Sequence, residues 1–431
     1  MPSDSPTVDK STLRILLAVC EAAGWTLGSS DVKSAFLQGC QLDREVVMKP
    51  PRAANVPRGK LWKLKVPLYG LNDASLQFYL KCKKVLLSLG CVVSSIDPGL
   101  FLKYSEEGQL EGFLVTHVDD FLHGGETKFV VDIVDKLREI FLMGKMETRE
   151  FTYVGMDLKQ TNDGIIVSQQ EYADNIPKFN VKPERAKETE SDLSEEEKTQ
   201  LRKMAGKIGW LARGTRPDLA FSQVEMSTNF LNGKVKDLNK AVKAMRKISN
   251  IESQLVIKNL GPIENWSVEV NTDAALGNLN GGVDSTAGFI VLLRNRDGLC
   301  VPISWTSNKI KRIVDNTLAA ECISLVSGLE EAVHVRSLIE EILGLKEKSI
   351  PVEAITDNRG TFDSVHSTTA VQDKRLRRDI SVIKELLNEK EVTKVSWCEG
   401  KSQIADALTK WGAAPWKLLE VFQNGRRGSS K

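Results

Sequence analysis

Between Asn265 and Asp406 the chain changes its periodicity in an order that leaves few folds open. Trp266, Val268 and Val270 alternate with Ser267, Glu269 and Asn271, the pattern of a half-buried strand, and this strand ends at Asp273. Two more strand-like runs follow, AGFIVLLR and CVPISW, and then a long helix is predicted from about Thr317 to Leu343. A strand PVEAIT runs up to Asp357, a helix is expected around 374–389, KVSW reads as another strand, and a short helix carries Asp406. Strands and helices mixed in this way call for a sheet with helices packed on it, an α+β or α/β architecture.

The N-terminal half has a different order. Residues 11–25 read as a helix, Thr26 to Ser34 as a strand carrying Asp31, and 75–90 as a second helix. Gly112–Val118 and Phe121–Gly124 form a predicted hairpin with Asp119-Asp120 at its tip. Val130, Ile133, Val134, Leu137, Ile140 and Phe141 then recur at helical spacing. Residues 181–200 are polar and charged and are the best linker candidate. At its end, Ser194 and Glu197 have the spacing of a capping box before Leu201.

At 431 residues the chain exceeds a single ordinary core, so two to four domains are expected. With 41% hydrophobic and 27% charged residues it is globular in composition, and a net charge of +2 does not announce a nucleic-acid binder. Local charge says more. From Val46 to Asn72 there is no acid, while Lys49, Arg52, Arg58, Lys60, Lys63 and Lys65 are all present, either as a solvated face or as a phosphate-binding one. The seven cysteines form no CxxC pair and read as reduced thiols of an intracellular protein, not as a zinc site. No apolar run approaches the ~20 residues of a membrane span.

Adjacent carboxylates at a hairpin tip are either a simple turn, where Asp is common, or half of a cation site. Clustered carboxylates repel, and one takes up a proton unless a cation joins them. Oxygen ligands without His or Cys point to Mg²⁺ or Mn²⁺. Two such ions about 4 Å apart stabilise both the attacking and the leaving oxygen of a phosphoryl displacement.

Five ordered blocks decide between these readings. DVKSAFLQG (31–39), VMKPP (47–51), LKVPLYGL (64–71) and HVDD (117–120) resemble the DVKTAFLNG, YMKQP, LKKSLYGL and YVDD blocks of copia-type retrotransposon Pol polyproteins, and TRPDLA (215–220) resembles their TRPDIA. Further on, Asp273, Glu321, Asp357 and Asp406 stand in segments similar to the family's ribonuclease H blocks SDAD, EAE, CDN and LADILTK. The resemblance runs over about residues 5–412.

It implies a reverse-transcriptase palm in which Asp31, Asp119 and Asp120 hold metal. Phe36 would lie beneath the sugar of the incoming nucleotide, unless it is simply a core aromatic, and Gly70 would lie in the loop under template and nucleotide. It also implies a ribonuclease H fold in which Asp273, Glu321, Asp357 and Asp406 hold two Mg²⁺ or Mn²⁺ ions. Lys60, Lys63 and Lys65 become candidate substrate contacts, as does Arg377, which stands in place of the family's His. The implied partners are an RNA–DNA hybrid, an RNA template with a DNA primer, and deoxynucleoside triphosphates. Expected boundaries are a partial palm over 1–125, a thumb-like region and linker over 126–200, a connection over 201–264, a ribonuclease H-like domain over 265–412 and a polar tail over 413–431.

His117 replaces the family's Tyr, and Asn72, Asp73, Ser75 and Leu76 replace its usual Lys, Gln, Pro and Arg. The strand-rich fingers with their basic KARLVAKG stretch do not precede Asp31, so polymerisation by this chain alone is expected to be impaired. The alternative is a decayed or host-adopted remnant that binds nucleic acid without catalysis.

Overall fold

The computed structural model describes residues 4–369 and 371–427, which divide into two compact units. The first is built mainly from residues 23–154 and the second mainly from 155–340 and 345–431.

The first unit is a six-stranded sheet. Its strands are β1 (Gly28–Asp31), β2 (Val92–Val93), β3 (Leu100–Tyr104), β4 (Leu110–His117), β5 (Asp120–Gly125) and β6 (Glu147–Thr148), in the order β2-β3-β4-β5-β1-β6. The predicted hairpin is β4–β5, with His117 opposite Asp120. Gly112 and Gly125 face each other across it, and a Cβ on either would strike the Phe129 ring, so the two glycines let that ring lie flat on the sheet. The helical stretch after β5 runs as Thr127–Phe129, Val130–Asp135 and Lys136–Ile140, its middle piece in π geometry. Phe129, Ile133, Leu137 and Phe141 share one core with Phe78 of the helix Ala74–Ser88 and with Phe101, Leu114 and Phe121 of the sheet. The expected division after residue 125 cuts through this core: the first part of the segment expected to be thumb-like and linker (126–200), as far as Phe141, packs into the first unit, and residues from 155 on belong to the second.

In the second unit, three antiparallel strands pair in the order β7 (Met156–Thr161), β8 (Gly164–Ser168), β9 (Gln254–Ile257). The segment inserted between β8 and β9 is helical, and its longest helices are α1 (Glu195–Gly214), α2 (Ala220–Thr228) and α3 (Val235–Ile248). The capping box forms as its spacing predicts. Ser194 Oγ accepts from the Glu197 N–H at 3.2 Å, and Glu197 accepts from the Ser194 N–H at 2.9 Å. Arg185 grips the same Glu197 through two bonds of 2.9 Å, so the predicted linker is held in place at its end, and a boundary at 200 falls inside α1.

The remainder is a five-stranded sheet: β10 (Ser267–Leu279), β11 (Asp284–Arg294), β12 (Cys300–Lys309), β13 (Val352–Thr356) and β14 (Lys394–Trp397), ordered β12-β11-β10-β13-β14. The first three are antiparallel; β13 and β14 add in parallel, each after a helical crossover. Those crossovers are α4 (Thr317–Leu343), then α5 (Arg359–His366) and α6 (Lys374–Asn388). This is the strand–strand–strand–helix–strand order expected of the ribonuclease H-like part. One expectation fails here. The polar tail contains α7 (Trp416–Asn424), whose Leu418, Leu419, Val421 and Phe422 are buried, with Phe422 edge-on to Trp305 at 4.7 Å. None of the seven cysteines, all among the described residues, is in a disulfide. No helix among the described residues is long and apolar enough to cross a membrane.

Candidate active site

Parallel pairing of β10 with β13 puts Thr272 beside Thr356, so the residues that follow them, Asp273 within β10 and Asp357 just past the end of β13, emerge at neighbouring positions. The short turn Ala405–Leu408 brings Asp406 to the same place. It packs against Gly288 of β11, where a Cβ would lie 2.8 Å from that of Leu408. Gln403 reinforces this by donating to the Thr272 carbonyl at 2.9 Å. Among the described residues, Asp273, Asp357 and Asp406 form the only set whose ligand oxygens all lie within 4.8 Å of one another.

Helix α4 supplies the fourth carboxylate. Gly328 allows close approach, since a Cβ there would sit 2.7 Å from Thr272 Cγ2. One turn earlier, Ser324 Oγ lies 2.9 and 3.0 Å from the carbonyls of Asp273 and Gly288. Glu321 is thereby buried next to the trio, 4% exposed, and its Oε2 has no hydrogen-bond partner. Glu321 thus stands beside the converged oxygens and not among them.

The electrostatics follow from burial. Desolvation, then the charges of Asp273 and Asp357, push the Glu321 carboxyl up to about 9. Burial pushes Asp273 up to about 6 against the opposing pull of Lys410 and Thr409, and it raises Asp357, with Asp406 adding to the effect. A cation is already present. Lys410 Nζ donates to Asp406 at 2.6 Å and to Asp273 at 3.1 Å, and Thr409 Oγ1 donates to the other Asp273 oxygen. Burial pulls the Lys410 ammonium down, but Asp273 and Asp406 outweigh it and hold the group firmly charged. Lys410 is the residue that reading the sequence for carboxylates missed. Its signal was its place four residues after Asp406, inside the ADALTK block.

In the first unit, antiparallel β1 and β5 set Asp31 opposite Asp120. The tip between β4 and β5 places Val118 at φ 60°, an uncommon conformation for a β-branched residue. The Val32 N–H bonds to the Asp119 carbonyl at 2.9 Å. Burial, then Asp119, raises the Asp120 carboxyl; His117 opposes this and Asp31 adds to it. The Gly144 N–H donates to the Asp31 carbonyl at 2.8 Å, and any Cβ on Gly144 would run into the Asp31 carboxylate, a constraint that was not read from the sequence.

The other candidates are dispersed. Phe36 is half-buried, packs on the first unit's core and lies 4.6 Å from the Tyr69 ring, so the core reading accounts for its contacts. Gly70 adopts φ 99° in open space. Lys60, Lys63 and Lys65 are exposed, with Lys63 3.7 Å from Glu45. Asp73 pairs with Arg44 at 2.7 Å. Arg377, in the first turn of α6, is exposed and donates to the carbonyls of Val371 and Gln372 in the loop before that helix. The TRPDLA block proves to be a packing device. Arg216 is fully buried, clamps Asp218 at 2.8 and 2.9 Å, and donates to the carbonyl of Ile248, the last residue of α3, and to that of Ile251 just beyond it.

Residues 2–190 match the reverse transcriptase (RNA-dependent DNA polymerase) family. Over 94% of its length the chain is 26% identical to the retrovirus-related Pol polyproteins from transposon RE2 of Arabidopsis thaliana and transposon TNT 1-94 of Nicotiana tabacum. It spans 28% and 31% of the length of these relatives. Among solved structures, the foamy viral protease–reverse transcriptase in complex with dsDNA aligns with 87% of this chain and 67% of its own, at 14% identity and a TM-score of 0.48. LC11-RNase H1 in complex with an RNA/DNA hybrid covers 33% of this chain and 94% of its own, at 17% identity and a TM-score of 0.25. The chain is thus similar, over nearly its whole length, to Pol polyproteins of plant retrotransposons, and its residues 2–190 are the segment that matches the reverse transcriptase family.

Proposed function

We propose that the second unit carries a ribonuclease H that hydrolyses the RNA strand of RNA–DNA hybrids. The observation that carries this reading is the convergence of Asp273, Asp357 and Asp406 within 4.8 Å beside buried Glu321. The donor set is all oxygen, its charges repel, and one buried carboxylate oxygen lacks a partner, which fits a hard divalent cation such as Mg²⁺ or Mn²⁺. Asp273, Asp357 and Asp406 would hold it. Once bound, such ions lower the pKa of a water and neutralise charge building on a phosphate. The protein's own part is orientation. Thr409 fixes the Asp273 carboxylate, Ser324 ties α4 to the strand that carries it, and Gln403 ties the Asp406 turn to the same strand. Substrate recognition would rest on 2′-hydroxyls and backbone shape, not on base sequence.

The test is hydrolysis of labelled RNA annealed to DNA, in Mg²⁺ or Mn²⁺. The full chain is expected to cut the hybrid, and Asp357→Asn, which removes charge without volume, is expected to abolish cutting. Cleavage that persists in that variant or in EDTA removes the assignment.

A second activity, RNA-directed DNA synthesis, is favoured by the register that sets Asp31 opposite Asp120 at the end of the hairpin. Primer extension that is lost in Asp119→Asn would support it, and extension indifferent to that change would refute it.

A further inference from the structure

Among the converged carboxylates of the second unit, one group is of the wrong sign to be a ligand. Lys410 Nζ lies 2.6 Å from Asp406 Oδ1 and 3.1 Å from Asp273 Oδ1, two of the three side chains that would hold a divalent cation. A cation that approached the same oxygens would stand against the ammonium, and like charges at that range repel strongly in a partly desolvated site.

The lysine is placed there by its backbone. Its N–H donates to the Asp406 carbonyl at 3.2 Å. The next residue, Trp411, is packed edge-on to Phe221 at 6.4 Å and lies under the Lys247 ammonium at 4.8 Å. The Lys410 stem is thus anchored, while its side chain remains 42% exposed and has room to leave. Asp273, by contrast, is 1% exposed and cannot turn to solvent for compensation.

We propose that Lys410 is a built-in counter-ion for the metal-free site, and that divalent metal loads by exchange, displacing the ammonium from Asp273 and Asp406. This rests on the reading of the carboxylates as a metal site. The exchange has two consequences. Metal-free protein is stabilised by Lys410, and metal affinity is lower than the carboxylates alone would give, because each binding event must first break two charge-assisted hydrogen bonds.

The experiment compares full-length wild type, Lys410→Met, Lys410→Gln and Asp357→Asn by Mn²⁺ titration calorimetry and by thermal melting with and without Mn²⁺. The two Lys410 variants are expected to bind Mn²⁺ about tenfold more tightly than wild type, about 1.4 kcal/mol. They should also melt at lower temperature without metal and gain more from its addition. The glutamine variant keeps a polar group at the site, so it guards against a methionine variant that fails to fold. Asp357→Asn should bind weakly whatever occupies position 410. If wild type binds Mn²⁺, Asp357→Asn does not, and both Lys410 variants bind no more tightly than wild type, exchange is refuted while the metal site stands. If no protein of the set binds Mn²⁺, the metal-site reading fails and exchange fails with it.

Discussion

Trp411 donates its indole N–H to the carboxylate of Glu225, a bond between the segment that carries Asp406 and a helix outside the five-stranded sheet. Glu225 is 8% exposed and also accepts from Lys240 of α3 at 2.7 Å. The site's last turn is therefore braced by α2 and α3. Replacing Glu225 by Ala leaves a partly buried N–H unpaired, which costs about 1–3 kcal/mol. Hybrid hydrolysis by Trp411→Ala and Glu225→Ala is expected to fall about tenfold or more in kcat with a smaller change in KM. Trp411→Phe keeps the ring, should retain more activity than Trp411→Ala, and separates packing from the hydrogen bond. Wild-type kcat in Trp411→Ala would show that the turn holds itself.

The pH dependence of stability has a definite sign. Glu321 is held protonated up to about 9 in the fold, whereas its ordinary value is 4.5, so between these limits the native state binds a proton that the unfolded state has lost. Stability in EDTA should therefore be full below about pH 4.5 and fall as pH rises towards about 9, by at most about 1.4 kcal/mol per pH unit for this group. Asp273, raised to about 6, adds a contribution of the same sign at the acidic end. Denaturant melts from pH 5 to 9 should slope downward, and Glu321→Gln should flatten the slope above pH 6. An unchanged slope in that variant would mean the carboxyl is ionised in the fold.

Phe422 is fully buried and lies edge-on to Trp305, whose indole N–H donates to the Ala212 carbonyl of α1 at 2.7 Å. Phe422→Ala is expected to destabilise the second unit by about 3–5 kcal/mol in urea unfolding. Trp416→Ala, at an exposed position on the same helix, should cost about 0.5 kcal/mol or less. Equal effects of the two changes would contradict the docking of this helix.

Lys60, Lys63 and Lys65 form an exposed basic run, in which Lys63 meets the acid Glu45. If the run binds phosphate, affinity for a hybrid should fall steeply with salt. Changing all three lysines to Glu should then reduce the slope of log K against log salt by about 0.9 for each phosphate that is no longer neutralised. A triple variant with the wild-type slope would assign the run to solvent.

Element order was legible in the sequence because it depends on local periodicity and caps. The strand that carries Asp273, the hairpin tip at Asp119-Asp120, the long α4 and the Ser194–Glu197 capping box all follow from neighbours within a few residues of each other, although β10 does not end at Asp273 as expected but runs on to Leu279. The four carboxylates of the second unit were legible only through the resemblance of their short blocks to those of a known family, one block at a time. What the tertiary structure decided is everything that depends on pairing between distant segments. The register of Thr272 with Thr356 joins strands about eighty residues apart, and it alone makes neighbours of Asp273 and Asp357. Close approach at Gly328 settles that Glu321 is buried next to the trio, and the turn at 405–408 settles that Lys410 stands among its oxygens. Helix α7 escaped detection for a related reason. A nine-residue helix has little stability alone, and its docking against Trp305 is written in a strand more than a hundred residues earlier.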